Sequence, residues 1–178
     1  SKNIVISTIY TIAMVVGIFV CCICDIAIAG ELTWSLIVLS SILITWIVTF
    51  PVILLGKKGV LAAMIAISVL IEPFMYILSI LIKVDEVFRI GALMSLISIV
   101  FLWIIYVLYH RLKERKLLAT GITFLFAIPF NFLINTVLSK MIGEPVVDIW
   151  DILSVFILLI MAGAFIIGDY ARRNGYLR

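Results

Sequence analysis

Charge is what this sequence has least of. Only 13% of its 178 residues are Asp, Glu, Lys or Arg, against about 25% in an ordinary soluble domain. Twenty-three such side chains (13 Lys and Arg, 10 Asp and Glu) cannot cover the surface of a water-soluble protein of this length. That excludes a soluble enzyme, a soluble DNA-binding domain and a disordered segment, the last because it would be rich in charge and poor in apolar residues. A single histidine, His110, and three cysteines crowded at Cys21, Cys22 and Cys24 leave little from which to assemble a metal centre. No nucleophile with its base, zinc-protease helix or phosphate-cradling glycine loop is present, and Gly56-Lys57-Lys58-Gly59 reads as a turn between helices. The net charge of +3 comes from basic residues scattered through short loops, which is not the clustered footprint of a nucleic-acid surface.

What is present is apolar sequence, 66% of the chain. A helix needs about 20 apolar residues to cross a hydrocarbon core of about 30 Å. Six stretches meet that length: 4–29, 34–55, 60–82, 90–109, 117–138 and 149–167. They are continuously apolar and do not alternate with period two, which favours helices over barrel strands. The expected fold is therefore all-α, a polytopic bundle of six transmembrane helices forming one domain over residues 1–178, with no room for a separate soluble domain in the short connections.

The basic residues orient it. With a cytoplasmic N-terminus, Lys2, Lys57, Lys58, Arg111, Lys113, Arg115, Lys116, Arg172, Arg173 and Arg178 lie inside, and only Lys83, Arg89 and Lys140 outside. That asymmetry obeys the positive-inside tendency and places both termini in the cytoplasm. Most acids, including Glu31, Asp85, Glu86, Glu144 and Asp148, fall on the outer side. Trp34 and Trp150 sit at the outer ends of their helices, and Tyr109 and Tyr170 at the inner face, where amphipathic rings are at home. The run 111–116 could touch anionic headgroups, although topology determination accounts for it equally well. His110, at the inner end of the fourth span, reads as interfacial.

Charged or amide side chains inside a span are functional candidates by default. Glu72 lies near the middle of the third span, directly before Pro73, where the proline removes a backbone donor and frees a carbonyl. A carboxyl there can bind a cation, accept a proton or contact a polar ligand, or it can hold neighbouring helices together. Asp25, near the outer end of the first span, and Asp151, at the outer start of the sixth, are shallow enough to be solvated or to cap helices. Asn131 and Asn135, spaced i, i+4, share a face of the fifth span just after Pro129. If that face met Glu72 and Asp25, the outer half of the bundle would contain a polar cavity; Glu72, Asp25, Asn131 and Asn135 are thus the candidate ligand-binding residues. Cys21 and Cys24 have the spacing of a redox pair, but no second cysteine pair exists to pass electrons on, and packing is the favoured reading. No cofactor is implied.

The stretch Cys24-Asp25-Ile26-Ala27-Ile28-Ala29-Gly30-Glu31-Leu32-Thr33-Trp34-Ser35-Leu36-Ile37, followed by Thr45-Trp46-Ile47-Val48-Thr49-Phe50-Pro51, resembles an uncharacterised multi-helix membrane region of Gram-positive bacteria. That region commonly follows a cytoplasmic Xre-type helix-turn-helix domain. The resemblance covers the first two spans and their outer turn and carries no catalytic residues with it. It implies the membrane part of a regulator in the bacterial cytoplasmic membrane, with a DNA-reading domain expected upstream of Ser1-Lys2-Asn3, a start without an initiator Met. This segment contains no helix-turn-helix and is not expected to bind nucleic acid itself. The function expected is a non-enzymatic membrane sensor or regulatory module, responding to a lipophilic or membrane-active ligand or to a membrane partner. A small transporter, or a substrate-binding subunit of one, is the competing class, with a structural or immunity-type membrane protein third.

Overall fold

The structure is a computed structural model that describes residues 1–145 and 148–176. Arg178, one of the basic residues assigned to the inner side, lies outside the described residues. The fold is all-helical, and no strand occurs among the described residues. In chain order the helices are α1 (Lys2–Ala29), α2 (Ser35–Leu55), α3 (Val60–Ile82), α4 (Asp85–Arg111), α5 (Lys116–Ile142) and α6 (Ile149–Arg173), with a 3₁₀ turn at Gly56–Gly59 between α2 and α3.

Five continuous helical stretches are long and apolar enough to cross a membrane: Lys2–Ala29, Ser35–Ile82, Asp85–Arg111, Lys116–Ile142 and Ile149–Arg173. The second is 48 residues long. A straight helix of that length would reach about 72 Å, but this one doubles back. Ser40 and Ile77 line one pocket together with Ile47 and Leu70, an antiparallel register between α2 and α3. The reversal is made at the 3₁₀ turn, where a side chain at Gly59 would overlap the Pro51 carbonyl oxygen. Glycine is required there because the two helices meet backbone to backbone.

The helices outrun the apolar stretches that mark them. α4 begins at Asp85 rather than near residue 90, and α6 continues to Arg173 rather than ending at 167. Hydropathy measures the portion suited to hydrocarbon, whereas a helix continues until its backbone groups are capped. α1 and α5 stop at Gly30 and Gly143, both in the left-handed region at φ 76° and 80°. α4 opens on Asp85 and Glu86 and closes on His110 and Arg111, charges that suit the helix dipole at each end.

The chain forms two compact units, Ser1–Ser95 and Leu96–Arg178, with the boundary inside α4. In the first, α1 runs antiparallel to α2: Trp46 Nε1 donates to Thr11 Oγ1 at 2.9 Å, and the Tyr10 and Thr49 hydroxyls are 2.6 Å apart. α3 and the first part of α4 pair through Tyr76 against Phe88, and through Met75 against Gly91. In the second unit α5 and α6 are antiparallel and close. A Cβ at Gly121 would come within 2.7 Å of Ile166 Cγ1 and 3.2 Å of the Ala162 carbonyl. The stacked rings of Phe124 and Phe165 continue that contact.

Burial runs opposite to a soluble protein. Among the described residues the buried apolar side chains are Ala63, Ala119 and Ala162, while the buried polar ones include Asp25, Ser95, Asn135 and Asp169. Large apolar side chains face outward, Ile160 at 70% and Ile167 at 67% exposure. In water this would be a severe aggregation hazard. In lipid it is the expected arrangement, since tails solvate isoleucine and helices associate through small and hydrogen-bonding residues. The fold is thus compatible with a multi-pass membrane protein.

Candidate functional site

The four residues expected to share one site fall into both units, Asp25 and Glu72 in the first, Asn131 and Asn135 in the second. Each has a distinct environment.

Asp25 is buried one turn before the end of α1 and closes the α1–α2 connection. Its Oδ2 accepts from the backbone N–H groups of Thr33 (2.6 Å) and Ser35 (2.9 Å), and its Oδ1 accepts from Thr33 Oγ1 (2.7 Å). The first N–H groups of a helix have no partner within it, so a carboxylate delivered from the preceding helix does the work of a cap. Trp34, at the N-cap position of α2, supplies no side-chain bond of its own.

Glu72 accepts from Ser95 Oγ at 2.8 Å, joining α3 to α4. The same hydroxyl is 2.8 Å from the Ala92 carbonyl. One hydroxyl proton serves one acceptor at a time. The pair therefore accommodates either a carboxylate that accepts or a carboxylic acid that donates.

Asn135 and Asn131 share a helix face but not a role. Asn135 is buried and its Nδ2 donates to Asp151 Oδ1 at 3.0 Å, linking α5 to α6. Asp151 Oδ2 accepts the Asp148 N–H at 2.8 Å, and Asp148 in turn caps the start of α6, where its Oδ1 accepts from the Ile149 N–H. This is a capping box, with Asp151 also serving a neighbouring helix.

Asn131, one turn earlier, makes no hydrogen bond among the described residues and lines a groove of about 630 Å³. The walls come from α4 (Phe101), α5 (Ala127, Phe130, Ile134) and α6 (Ile157), all within the second unit. Phe101 and Phe130 pack with ring centroids 4.9 Å apart. Ser98 and Ser154 also line it, but the Ser154 hydroxyl is committed to the Trp150 carbonyl at 2.8 Å. The lining is overwhelmingly apolar, so the half-buried Asn131 amide brings both donor and acceptor capacity into it. Pro129 lies in the same stretch of α5, and its missing N–H leaves the Leu125 carbonyl without its helical partner.

Sequence reasoning passed over Asp169. It is 5% exposed, near the C-terminal end of α6, and accepts from Arg115 Nε (3.2 Å) and Nη2 at the start of α5. The signal was available: an acid two residues beyond the last apolar stretch, just before the basic pair Arg172 and Arg173. Together with Lys113, Lys116, Arg172 and Arg173, these two residues line a second cavity of about 620 Å³.

Cys21, Cys22 and Cys24 are free thiols, partly or fully exposed on α1. Among the described residues no three His, Cys, Asp or Glu side chains gather closely enough to hold a metal ion. No known protein family, curated protein or solved structure matches the chain.

Proposed function

We propose that this chain is a non-enzymatic membrane sensor or regulatory module that crosses the bacterial cytoplasmic membrane six times, with both termini cytoplasmic, and takes a lipophilic ligand in the Asn131 groove. The six crossings are supported by the reversal at Gly56–Gly59, which makes two antiparallel helices of the Ser35–Ile82 stretch. The orientation is supported by the weight of Lys and Arg in the connections at the α2–α3 and α4–α5 ends.

The observation that carries the ligand is Asn131. Binding sites for small molecules are mostly apolar with a few placed polar groups, and an amide without a partner in an apolar wall is a costly feature to keep in a bilayer. A molecule with a long apolar body and one hydroxyl, carbonyl or amide would satisfy both. Because Pro129 interrupts α5 directly before the lining residues Phe130 and Asn131, occupancy would favour one bend of α5 over another, and only a difference in affinity between the two shapes shifts their populations. By the resemblance of the first two helices, a helix-turn-helix domain upstream of α1 would receive that shift.

The test compares dodecan-1-ol with dodecane as additives to the purified chain in detergent, read as thermal stability. The alcohol should raise the melting temperature more than the alkane, and Asn131→Leu should abolish the difference while leaving the unliganded protein folded. Equal responses to both additives in the wild type would refute the assignment of Asn131.

A further inference from the structure

We infer that the cavity at the joined ends of α5 and α6 is a binding site for the phosphate of an anionic lipid headgroup. The inference depends on α5 and α6 being membrane spans, as proposed above, but not on the Asn131 groove.

The cavity encloses about 620 Å³ where α5 begins and α6 ends. Its charge is strongly unbalanced. Lys113, Arg115, Lys116, Arg172 and Arg173 line it against the carboxylates of Glu114 and Asp169. Asp169 is engaged with Arg115 through Nε and Nη2, so that pair is largely neutral to its surroundings. Lys113, Lys116, Arg172 and Arg173 remain, opposed only by Glu114. Four cations held around one recess repel one another unless an anion lies between them.

The Arg115–Asp169 pair also shapes the recess. Arg115 is the N-cap residue of α5, and its bond to Asp169 fixes the first turn of α5 beside the last turn of α6. Lys116 and the Arg172–Arg173 pair are thereby brought to a common opening. The guanidinium's remaining N–H groups are not used by Asp169, and Arg115 is 38% exposed at its side chain, so it can donate to a bound anion as well. The start of α5 has no side-chain cap, which leaves the positive end of its dipole facing the same region.

A lipid is favoured over a free solute by position. With α5 and α6 as the spans proposed above, helices 27 and 25 residues long outreach a hydrocarbon core of about 30 Å, which would put their ends at the depth of the headgroups. Basic recesses between spans suit phosphate-bearing headgroups on the side of the membrane rich in Lys and Arg. Asp169 is a positioning residue here, acting through Arg115.

Native mass spectrometry of the full chain released from detergent micelles tests this, with dioleoylphosphatidylglycerol and dioleoylphosphatidylcholine as probes. One phosphatidylglycerol should be retained in preference to phosphatidylcholine. Arg172→Gln with Arg173→Gln should weaken its retention by about tenfold or more. Lys57→Gln with Lys58→Gln, which removes as much charge at the α2–α3 turn, should change it by less than about twofold. Should the arginine variant lose its helical circular dichroism, Lys113→Gln with Lys116→Gln carries the same expectation. Equal retention of the two lipids, or equal loss from the Lys57/Lys58 variant, would overturn a built site in favour of diffuse attraction. Displacement of the lipid by excess inorganic phosphate would overturn the lipid in favour of a free phosphate. The dodecanol response of the Asn131 groove should persist in the arginine variant, so failure of one assignment leaves the other standing.

Discussion

Asn135 Nδ2 donates to Asp151 Oδ1 across 3.0 Å, while the other oxygen of the same carboxylate accepts the Asp148 N–H at 2.8 Å. One side chain thus caps the start of α6 and fastens it to α5. The consequences of removing each partner differ. Asn135→Ala deletes only the cross-helix bond and should lower the unfolding free energy by about 0.5–1.5 kcal/mol, the range of interhelical hydrogen bonds in membrane proteins. Asp151→Ala also removes its half of the capping box and leaves the buried Asn135 amide unpaired. It should cost about 1–3 kcal/mol. Thermal unfolding in detergent, with the double variant completing the cycle, checks both; equal losses from the two single variants would mean that the cap contributes nothing.

Asp25 makes a similar connection at the α1–α2 turn, with three hydrogen bonds to Thr33 and Ser35. Asp25→Ala leaves two backbone N–H groups of the α2 start without this acceptor and should destabilise the protein by about 2–4 kcal/mol. Asp25→Asn retains one acceptor oxygen and should fall between. Limited proteolysis reads the same effect locally, with cleavage within 30–34 rising in the order wild type, Asn, Ala. An alanine variant as resistant as wild type would remove Asp25 from its capping role.

Gly121 marks the closest approach of α5 to α6. Adding a methyl group places it 2.7 Å from Ile166 Cγ1 and 3.2 Å from the Ala162 carbonyl. Gly121→Ala should therefore lower stability by about 1–3 kcal/mol. The nearer clash is with a side chain, so Ile166→Ala should recover part of that loss in the double variant, although it costs something alone. Ala162→Gly should recover none, because the second clash is with backbone. Chemical denaturation of the four variants distinguishes these outcomes.

The helices were legible because continuous runs of about 20 apolar residues, the length a membrane-crossing helix needs, mark them in the sequence. Their ends were less so. Asp85, Lys140, Asp169 and Arg173 are helical but polar, so hydropathy fell away before the backbone did. The i, i+4 spacing correctly put Asn131 and Asn135 on one face, yet that spacing carries no information about what each meets. α6 brings Asp151 to Asn135, and the bulk of Phe101, Phe130 and Ile157 leaves Asn131 facing a groove. Glu72 and Asp25 could be recognised as polar residues within spans, but Ser95 and Thr33 became their partners through helix register. Asp169 escaped notice because its partner Arg115 lies 54 residues away in sequence.

The central claim is that the Asn131 groove takes a lipophilic molecule. Photolabelling with a long-chain alcohol that carries a diazirine, followed by peptide mapping, tests it most directly. Label should concentrate on the groove segments around Phe101, Asn131 and Ile157, and Ala127→Trp, which fills the recess, should eliminate it there. Label spread evenly over outward-facing residues such as Ile9 and Ile160, and unchanged by Ala127→Trp, would contradict the account.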